Sequence, residues 1–178
     1  MELRTDRLIL RPYAITDFDD SAAVWGNPEV VRYIGGVPAT REQSWARTLR
    51  YIGHWAVFGF GMFAVRDRDG AFVGDVGVTD FKRDLDPPLT SLEAGWVLAP
   101  QAQGMGYATE ALTAVLAWFE RTQGAQDIAC LIDPPNAPSR RVAAKLGFVE
   151  QRRAMHHGAE VIVFNRPSTP DRASRASS

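Results

Sequence analysis

Two glycines stand at the start of a helix-like segment, where they could bring the backbone close to a phosphate group. The stretch Gln103–Thr109 reads Gln-Gly-Met-Gly-Tyr-Ala-Thr, and from Ala108 the apolar residues have the spacing of a helix with one buried face. Glycine has no Cβ, and the first N–H groups of a helix have no intrahelical acceptor, so both features favour the binding of an anion. The spacing predicts a turn that binds a phosphate-bearing cofactor.

Three glycine-rich phosphate motifs compete for this turn. A P-loop requires Lys and then Ser or Thr after its last glycine, but Tyr107 and Ala108 follow Gly106. A dinucleotide fingerprint requires Gly or Ala in place of Thr109, within a parallel βαβ series that the upstream pattern lacks. The remaining pattern, Gln/Arg-x-x-Gly-x-Gly/Ala, is met by Gln103, Gly106 and Ala108. An ordinary strand-to-helix turn explains the glycines as well.

The elements that must position this turn alternate between strands and helices. The predicted strands are Leu8–Leu10, Gly61–Arg66, Phe72–Thr79, Leu92–Leu98, Ile128–Ile132, Phe148–Met155 and Glu160–Phe164. The predicted helices are Ala14–Trp25, Thr40–Trp55, the helix from Ala108 to a glycine cap at Gly124, and Pro138–Leu146. This order predicts a single α+β domain, residues 1–166, whose mostly antiparallel central sheet is flanked by helices.

Local signals add detail at the chain's first two helices and at its end. Thr16 is the expected cap of the first helix, and Thr40 with Gln43 fits a capping box at the second. The apolar face of the second helix is predicted to carry Trp45, Leu49, Ile52 and Trp55. Residues 167–178 are Pro, Ser, Thr, Asp, Arg and Ala without apolar periodicity, which predicts a disordered tail.

Four stretches together resemble the GNAT N-acetyltransferase superfamily, and within it the RimJ/RimL-like ribosomal-protein acetyltransferases. They are Arg4–Pro12, Pro28–Ile34, Glu93–Ala111 and Asn136–Phe148. Each stretch is short, but the combination is specific and extends from Leu3 to about Phe164. The resemblance implies acetyl-CoA as the acetyl donor. It also implies a GNAT-like sheet whose fourth and fifth strands, here Leu92–Leu98 and Ile128–Ile132, splay apart to admit that donor.

The resemblance further implies which residues hold acetyl-CoA. Backbone amides of the glycine turn would contact the pyrophosphate, and the edge of the fourth strand would contact the pantetheine arm. The cofactor-binding residues implied in this way are Val97, Leu98, Ala99, Gln103, Gly104, Met105, Gly106, Tyr107, Ala108, Thr109, Asn136 and Ser139. For Asn136, the residue type by itself favours a helix N-cap equally well.

Three residues are expected to do the chemistry. The resemblance implies that a backbone N–H near Leu98, freed from sheet pairing by a β-bulge, binds the oxyanion. Ser139 stands four residues before Ala143, where many GNAT enzymes have a tyrosine acid, and a serine at its place in the RimL-like pattern donates a hydrogen bond to the leaving sulfur. Glu93 would take the amine's proton through a water. A first-turn helix serine and an exposed strand-end glutamate remain alternative interpretations.

The basicity of amines indicates which acceptor is easy to use. An α-amine with a pKa of about 7.7 to 8.0 is neutral roughly a tenth of the time at pH 7, whereas a lysine near 10.4 is neutral less than roughly a thousandth of the time. An α-amine therefore needs only weak help from a base. The resemblance favours a protein N-terminal amine, and small-molecule amines remain open as acceptors.

Composition excludes several other classes. The 178-residue chain has a net charge of −1 and a pI near 6.3, so no overall charge favours nucleic acid. Its single cysteine, Cys130, permits no intramolecular disulfide, and the sequence shows no signal peptide and no apolar run long enough to span a bilayer. The three histidines lack metal-ligand spacing. We therefore expect a cytoplasmic monomer or homodimer without a metal or membrane contact.

Three function classes follow from these observations. The first is an N-acetyltransferase that moves the acetyl group of acetyl-CoA to a primary amine. The second is a non-catalytic CoA-binding sensor or interaction module, which the missing tyrosine at Ala143 motivates. The third is a nucleotide-phosphate enzyme, which would bind ATP more tightly than CoA.

Overall fold

The computed structural model describes residues 1–168, within which the chain forms nine β-strands and five α-helices. The strands are β1 (Leu3–Arg4), β2 (Leu8–Pro12), β3 (Met62–Asp67), β4 (Phe72–Thr79), β5 (Leu85–Asp86), β6 (Leu92–Leu98), β7 (Ile128–Ile132), β8 (Val149–His156) and β9 (Ala159–Arg166). The helices are α1 (Phe18–Trp25), α2 (Pro28–Val31), α3 (Arg41–Phe58), α4 (Tyr107–Gln123) and α5 (Ala137–Lys145). Most of the predicted tail, residues 169–178, lies outside the described residues.

All of these strands join one sheet in the order β1-β2-β3-β4-β6-β7-β9-β8-β5. Neighbouring strands are antiparallel except β6 and β7, which run parallel. This pair is the one expected to splay, and it is in register only where Leu92 meets Ile128 and Glu93 meets Ala129. The strands then diverge. The predicted α+β class, the mostly antiparallel sheet and the splayed pair are confirmed.

Helix α4 follows the glycine turn as predicted. Its buried side chains include Leu112, Val115, Leu116 and Phe119, which repeat at the helical spacing and pack over the sheet. Burying each of these large apolar side chains contributes about 1.5–3 kcal/mol. The helix is thereby fixed to the sheet, and the turn at its first residue is held in a defined place.

Helix α3 begins with the predicted capping box. The Thr40 hydroxyl accepts a hydrogen bond from the Gln43 amide, and the Gln43 side chain accepts one from the Thr40 amide. The predicted apolar face is wrong in its rotation, because Trp45 is 41% exposed and Leu49 47% exposed. The residues that α3 buries are Ser44, Thr48, Tyr51 and His54. Ile52 and Trp55 are half-buried against the core.

The polar side chains that α3 buries are tolerated because most of their polar atoms have hydrogen-bond partners. The Thr48 hydroxyl donates to the Ser44 carbonyl at 3.0 Å. His54 uses both ring nitrogens: Nδ1 lies 2.7 Å from the Phe60 carbonyl, and Nε2 lies 2.9 Å from the amide of Asp80, from which it accepts. His54 is therefore a core histidine that ties α3 to the end of β4.

The first helix differs from its prediction at the start. Residues Ile15–Asp17 form a 3-10 turn, α1 begins only at Phe18, and Thr16 is not the cap. Asp17 is instead fully buried, where its carboxylate accepts hydrogen bonds from the Ala14 amide and from both terminal nitrogens of Arg11. This charge-assisted pairing closes the turn more tightly than a threonine hydroxyl would.

Candidate active site

The divergence of β6 from β7 opens the sheet toward the glycine turn. The two strands are paired at Glu93, and by Leu98 the neighbouring strand β7 no longer offers a pairing partner. Gln103, in the turn itself, donates from its side chain to the Leu98 carbonyl at 3.2 Å. The turn and the unpaired edge of β6 therefore form one continuous rim of the opening.

The amide of Leu98 faces this opening. On the other side of β6, Leu98 lies opposite Gly74, and the Ala99 amide donates to Val73 on β4 at 2.9 Å. Donors alternate between the two sides of an antiparallel strand, so the N–H of Leu98 points away from β4 and toward the gap.

The expected β-bulge is not what frees this amide. Between Gly74–Thr79 and Glu93–Leu98 the register is unbroken. One register shift lies in the β3–β4 pair, where Val65 and Arg66 are opposite Gly74 and Phe72 and leave Val73 of β4 as the extra residue, and the other lies in the β8–β9 pair. The expectation of a bulge in β6 near Leu98 is therefore corrected, because divergence of β7 is sufficient to leave the N–H without a strand partner. The position of Leu98 depends instead on how closely β4 approaches β6.

Gly74 permits that close approach. A Cβ built at Gly74 would lie 2.1 Å from the Val97 carbonyl oxygen and 2.9 Å from the Leu98 Cα, and the backbone there has φ of +149°. No side chain fits between the strands at this point without moving one of them. Gly74 thus positions the amide of Leu98, a role that sequence reasoning missed.

Replacing Gly74 with alanine should move β6 and misplace the Leu98 amide. We expect kcat for acetyl transfer to fall by about tenfold or more, and the free energy of unfolding to fall by about 1–3 kcal/mol. Gly95→Ala is the matched control, because its Cβ would meet only the flexible end of Met62 at 4.0 Å. Thermal unfolding and thiol-release kinetics measure both effects. An unchanged kcat in folded Gly74→Ala would refute the positioning role.

The glycine turn has the geometry of an anion cradle. Gly104 and Gly106 have φ of +77° and +80°, and Gly106 is the N-cap of α4 without a side-chain hydrogen bond. The amides of Tyr107, Ala108 and Thr109 form the first turn of α4, so the helix itself offers them no acceptor. A Cβ at Gly104 would have no atom within 4 Å, so the space beside the turn is open. The turn therefore fits a pyrophosphate.

Hydrogen bonds and an ion pair connect this turn to the hairpin formed by β1 and β2. Glu110 accepts hydrogen bonds from the Thr5 hydroxyl at 2.6 Å, the Arg7 amide at 3.0 Å and the Arg7 side chain at 2.7 Å. Arg7 also donates to the Met105 carbonyl and lies 4.6 Å from the Tyr107 ring centroid. Burial alone would raise the pKa of Glu110, but these hydrogen bonds lower it. Sequence reasoning missed this contact, which joins residues about 100 positions apart.

The two residues implied in α5 lie at its first turn. The Asn136 side-chain oxygen accepts from the Ser139 amide at 3.1 Å, so Asn136 caps the helix and keeps only its side-chain NH₂ for a ligand. Ser139 is partly exposed, and its hydroxyl forms no hydrogen bond within residues 1–168. Ala143, at the position of the missing tyrosine, is fully buried.

Glu93 is not an exposed strand-end residue. It is 7% exposed, and its two carboxylate oxygens each accept from Arg83 at 2.8 Å. This bidentate pair fixes the orientation of the carboxylate. Arg83 lies in the loop between β4 and β5, where the sequence analysis predicted no site residue, so the pairing of Arg83 with Glu93 was not predicted.

Three further observations concern the surroundings of the expected site. A surface depression of about 700 Å³ is lined by Leu92, Asp127 and Asn165 among others. It lies where β6 and β7 are paired, away from the glycine turn, so it does not fit the donor site. Over residues 1–168 there is no cluster of three or more His, Cys, Asp or Glu side chains arranged to hold a metal ion. Nor does any helix there have the length and apolar character needed to cross a membrane.

Comparison with known proteins identifies the class. The family model described as acetyltransferase (GNAT) domain matches residues 7–149, so the chain belongs to the GNAT acetyltransferases, in their RimJ/RimL-like family. It is thus a GNAT N-acetyltransferase, and the fold implies acetyl-CoA as donor.

Solved structures agree with this assignment. A protein assigned to the GnaT-family acetyltransferases, from Bordetella pertussis, is 31% identical, with a TM-score of 0.81 over 93% of this chain and 99% of that one. The ribosomal-protein-S5-alanine acetyltransferase of Vibrio fischeri shares the fold at 19% identity, with a TM-score of 0.74 over 96% and 98% of the two chains. The spermidine N-acetyltransferase of Vibrio cholerae, solved in complex with CoA and spermine, also shares the fold. It is 19% identical, with a TM-score of 0.69 over 90% of this chain and 94% of that one.

Proposed function

We propose that residues 1–166 act as one catalytic domain that transfers the acetyl group of acetyl-CoA directly to a primary amine in a ternary complex. The observation that carries this proposal is the opening between β6 and β7, with the Leu98 amide on one rim and the glycine turn at its end. The turn residues Gln103–Thr109 would bind the pyrophosphate. Val97–Ala99 would bind the pantetheine arm, together with the Asn136 NH₂.

Direct attack is favoured over a covalent enzyme intermediate. An acetyl-cysteine intermediate would need an accessible thiolate, and Cys130 is the single cysteine of the chain. Cys130 is 1% exposed, and burial raises the pKa of its thiol, with a further rise from the charge of Glu93. The thiol therefore stays protonated and enclosed, which supports attack by the amine itself.

The chemistry then divides among three groups. The Leu98 amide would donate to the oxyanion that forms when the amine attacks the thioester carbonyl. The Ser139 hydroxyl would donate to the sulfur as the C–S bond breaks. The amine must lose a proton, and Glu93 would accept it through water. Glu93 and Leu98 are five positions apart, about 17 Å along a strand, so the proton would pass through more than one water.

A protein N-terminal amine is the acceptor that this proposal favours. The α-amine is neutral far more often than lysine at neutral pH, so a distant and ion-paired carboxylate is sufficient help. A ribosomal-protein alanine acetyltransferase shares this fold, and the shared fold is the support that this relative gives to the choice of acceptor. A small-molecule amine is the second candidate acceptor, since the same fold occurs in a spermidine acetyltransferase.

Removing the Ser139 hydroxyl should slow the chemistry and spare binding. We expect Ser139→Ala to lower kcat by about ten- to a hundredfold, because a positioned donor to the leaving sulfur is lost, while the affinity for acetyl-CoA barely changes. Ser139→Thr keeps a hydroxyl and should retain most of kcat. Steady-state kinetics and calorimetric titration with CoA measure the two quantities. A tenfold loss of affinity with normal kcat would make Ser139 a cofactor-binding residue instead.

A thiol-release assay tests the proposed function. Acetyl-CoA is mixed with the protein and a panel of N-terminal peptides, polyamines and other primary amines, and free CoA is measured together with the mass of the product. Acetylated product from at least one amine is the expected result. CoA binding without turnover across the panel would instead indicate a CoA-binding sensor, the alternative that Ala143 motivated.

A further inference from the structure

The side chain of Arg7 lies against the glycine turn and contacts its negatively polarised oxygens. Nη1 donates to the Met105 carbonyl at 3.0 Å, Nε donates to the Glu110 carboxylate at 2.7 Å, and Nη2 lies 2.6 Å from the same carboxylate. The guanidinium carbon lies 4.6 Å from the Tyr107 ring centroid. Arg7, which precedes the turn by almost 100 positions, therefore contacts three residues in or next to it.

The loop between β1 and β2 fixes the position of Arg7. The Leu8 amide donates to the Thr5 hydroxyl at 2.9 Å, and the Thr5 amide donates to the Leu8 carbonyl at 3.0 Å. The side chain of Leu8 is fully buried, and the Thr5 hydroxyl donates to Glu110 at 2.6 Å. Both ends of this short loop are thus anchored, so Arg7 is presented to the turn from a defined backbone.

Glu110 brings a negative charge to the region where the donor is proposed to bind. It is in the first turn of α4, and its side chain is 19% exposed. Although burial opposes the effect, hydrogen bonds from Thr5 and Arg7 lower the pKa of Glu110, so its carboxylate is ionised at neutral pH. An acid at a helix start stabilises the helix, but the same charge repels a second anion bound there.

One nitrogen atom of Arg7 adjoins both this charge and the proposed pyrophosphate space. Nη2 contacts the Glu110 carboxylate, and it also lies 3.5 Å from a Cβ built at Gly106. The guanidinium stays charged at any pH at which the protein works. A positive charge therefore lies next to Glu110 on the side of the turn that the donor's phosphates are proposed to use.

Arg7 also occupies a carbonyl group of the turn. A cradle for an anion requires N–H groups that face the ligand, and a carbonyl oxygen among them would repel it. The Gly106 carbonyl accepts from the Glu110 amide at 3.1 Å inside the helix, and the Met105 carbonyl accepts from Arg7. The carbonyls of both residues are thus turned to partners within the protein.

We propose that Arg7 is a positioning residue for the phosphates of the donor, which compensates the charge of Glu110 and holds the Met105 carbonyl, so that the turn offers N–H groups without a competing negative charge. This inference rests on the proposed function and adds to it a residue outside the turn. Arg7 acts through the turn and takes no part in the chemical step. Its loss should therefore weaken donor binding and leave kcat unchanged.

Replacing Arg7 with methionine removes the charge and the donors but keeps most of the aliphatic length. We expect the Kd for CoA, measured by calorimetric titration at low salt, to rise by about ten- to thirtyfold, because Glu110 then repels the phosphates. The difference from wild type should shrink at high salt. Arg4→Met is the matched control, since Arg4 belongs to the same hairpin but pairs with Glu2 at 2.7 Å. This control should bind CoA like wild type.

A second substitution separates the charge from the anchoring of the turn. Glu110→Gln removes the charge but keeps an acceptor for the Thr5 hydroxyl and the Arg7 amide. In the double variant Arg7→Met, Glu110→Gln, we expect the Kd for CoA to return to within about threefold of wild type. The lost contact with Met105 accounts for the remaining difference. A double variant as weak as Arg7→Met would show that Arg7 only anchors the turn, and would overturn the proposal.

Two further measurements show whether the effect concerns charge and phosphate. Arg7→Lys keeps the charge and should hold the Kd for CoA to within about threefold of wild type. With S-acetylpantetheine, a donor that has the thioester and the pantetheine arm without phosphate, Arg7→Met should retain the wild-type kcat/KM. With acetyl-CoA the same variant should show a raised KM at normal kcat. Equal losses with both donors would overturn the proposal.

The outcomes separate this inference from the proposed function. If amines are acetylated and Arg7→Met binds CoA like wild type, the inference is overturned and the acetyltransferase function stands. If CoA binds but no amine is acetylated, the proposed function fails, and the titrations of the single and double variants still decide the inference. If wild type does not bind CoA, both are overturned.

Discussion

Valine in place of Gly106 is expected to reduce the affinity for coenzyme A by at least about a hundredfold while the protein remains folded. The branched side chain would occupy the space in which the first amides of α4 meet the pyrophosphate, and several charge-assisted hydrogen bonds would be lost together. Within the protein the substitution meets little: the nearest atom to a Cβ at Gly106 is an Arg7 side-chain nitrogen at 3.5 Å. Calorimetric titration with CoA measures the loss.

The glycine that caps the C-terminus of α3 supplies the control for this experiment. Gly59 has φ of +71° and ψ of +9°, close to the values of +80° and +1° at Gly106, and a Cβ there would have no atom within 4 Å. Gly59→Val therefore carries a similar backbone strain, about 1–2 kcal/mol, at a residue that is not among those proposed to bind the donor. We expect the two variants to lose similar amounts of stability. Only Gly106→Val is expected to lose affinity for CoA. Unchanged affinity in Gly106→Val would show that the turn is structural.

Replacing Glu93 with glutamine is expected to lower kcat/KM at neutral pH by about a hundredfold, and by much less at pH 9. If a water-bridged carboxylate accepts the proton, its loss matters most where the amine is still protonated, and the deficit shrinks as the amine ionises unaided. A pH profile of wild type and Glu93→Gln at two ionic strengths makes the comparison. A deficit confined to KM and independent of pH would rule out the base role.

The ion pair with Arg83 requires a second variant. Glu93→Gln also leaves the half-buried guanidinium of Arg83 without its partner, which by itself can cost stability. Arg83→Gln breaks the same pair but keeps the carboxylate, so it should reproduce the stability loss without the pH-dependent deficit. If both single variants and the double variant lose the same activity, Glu93 acts only by holding Arg83.

The family and the main elements could be predicted from sequence because they depend on local patterns. The apolar period of α4, the capping box of α3 and the glycine turn each depend on residues that lie close together in the sequence. Which face of α3 is buried could not be predicted in this way. Trp45 and Leu49 are as apolar as the residues that pack, and the helix instead buries Tyr51 and His54, whose partners Tyr13, Phe60 and Asp80 come from three other segments.

By itself, the sequence determined that this chain is a GNAT N-acetyltransferase and that a glycine turn at Gln103–Thr109 precedes α4, because such a turn needs only glycines and helix amides placed in succession. The tertiary structure decided how Leu98 is exposed, through the divergence of β7 and the contact at Gly74. It also paired Glu93 with Arg83. These features depend on distances between residues far apart in the chain, which spacing along one segment does not encode.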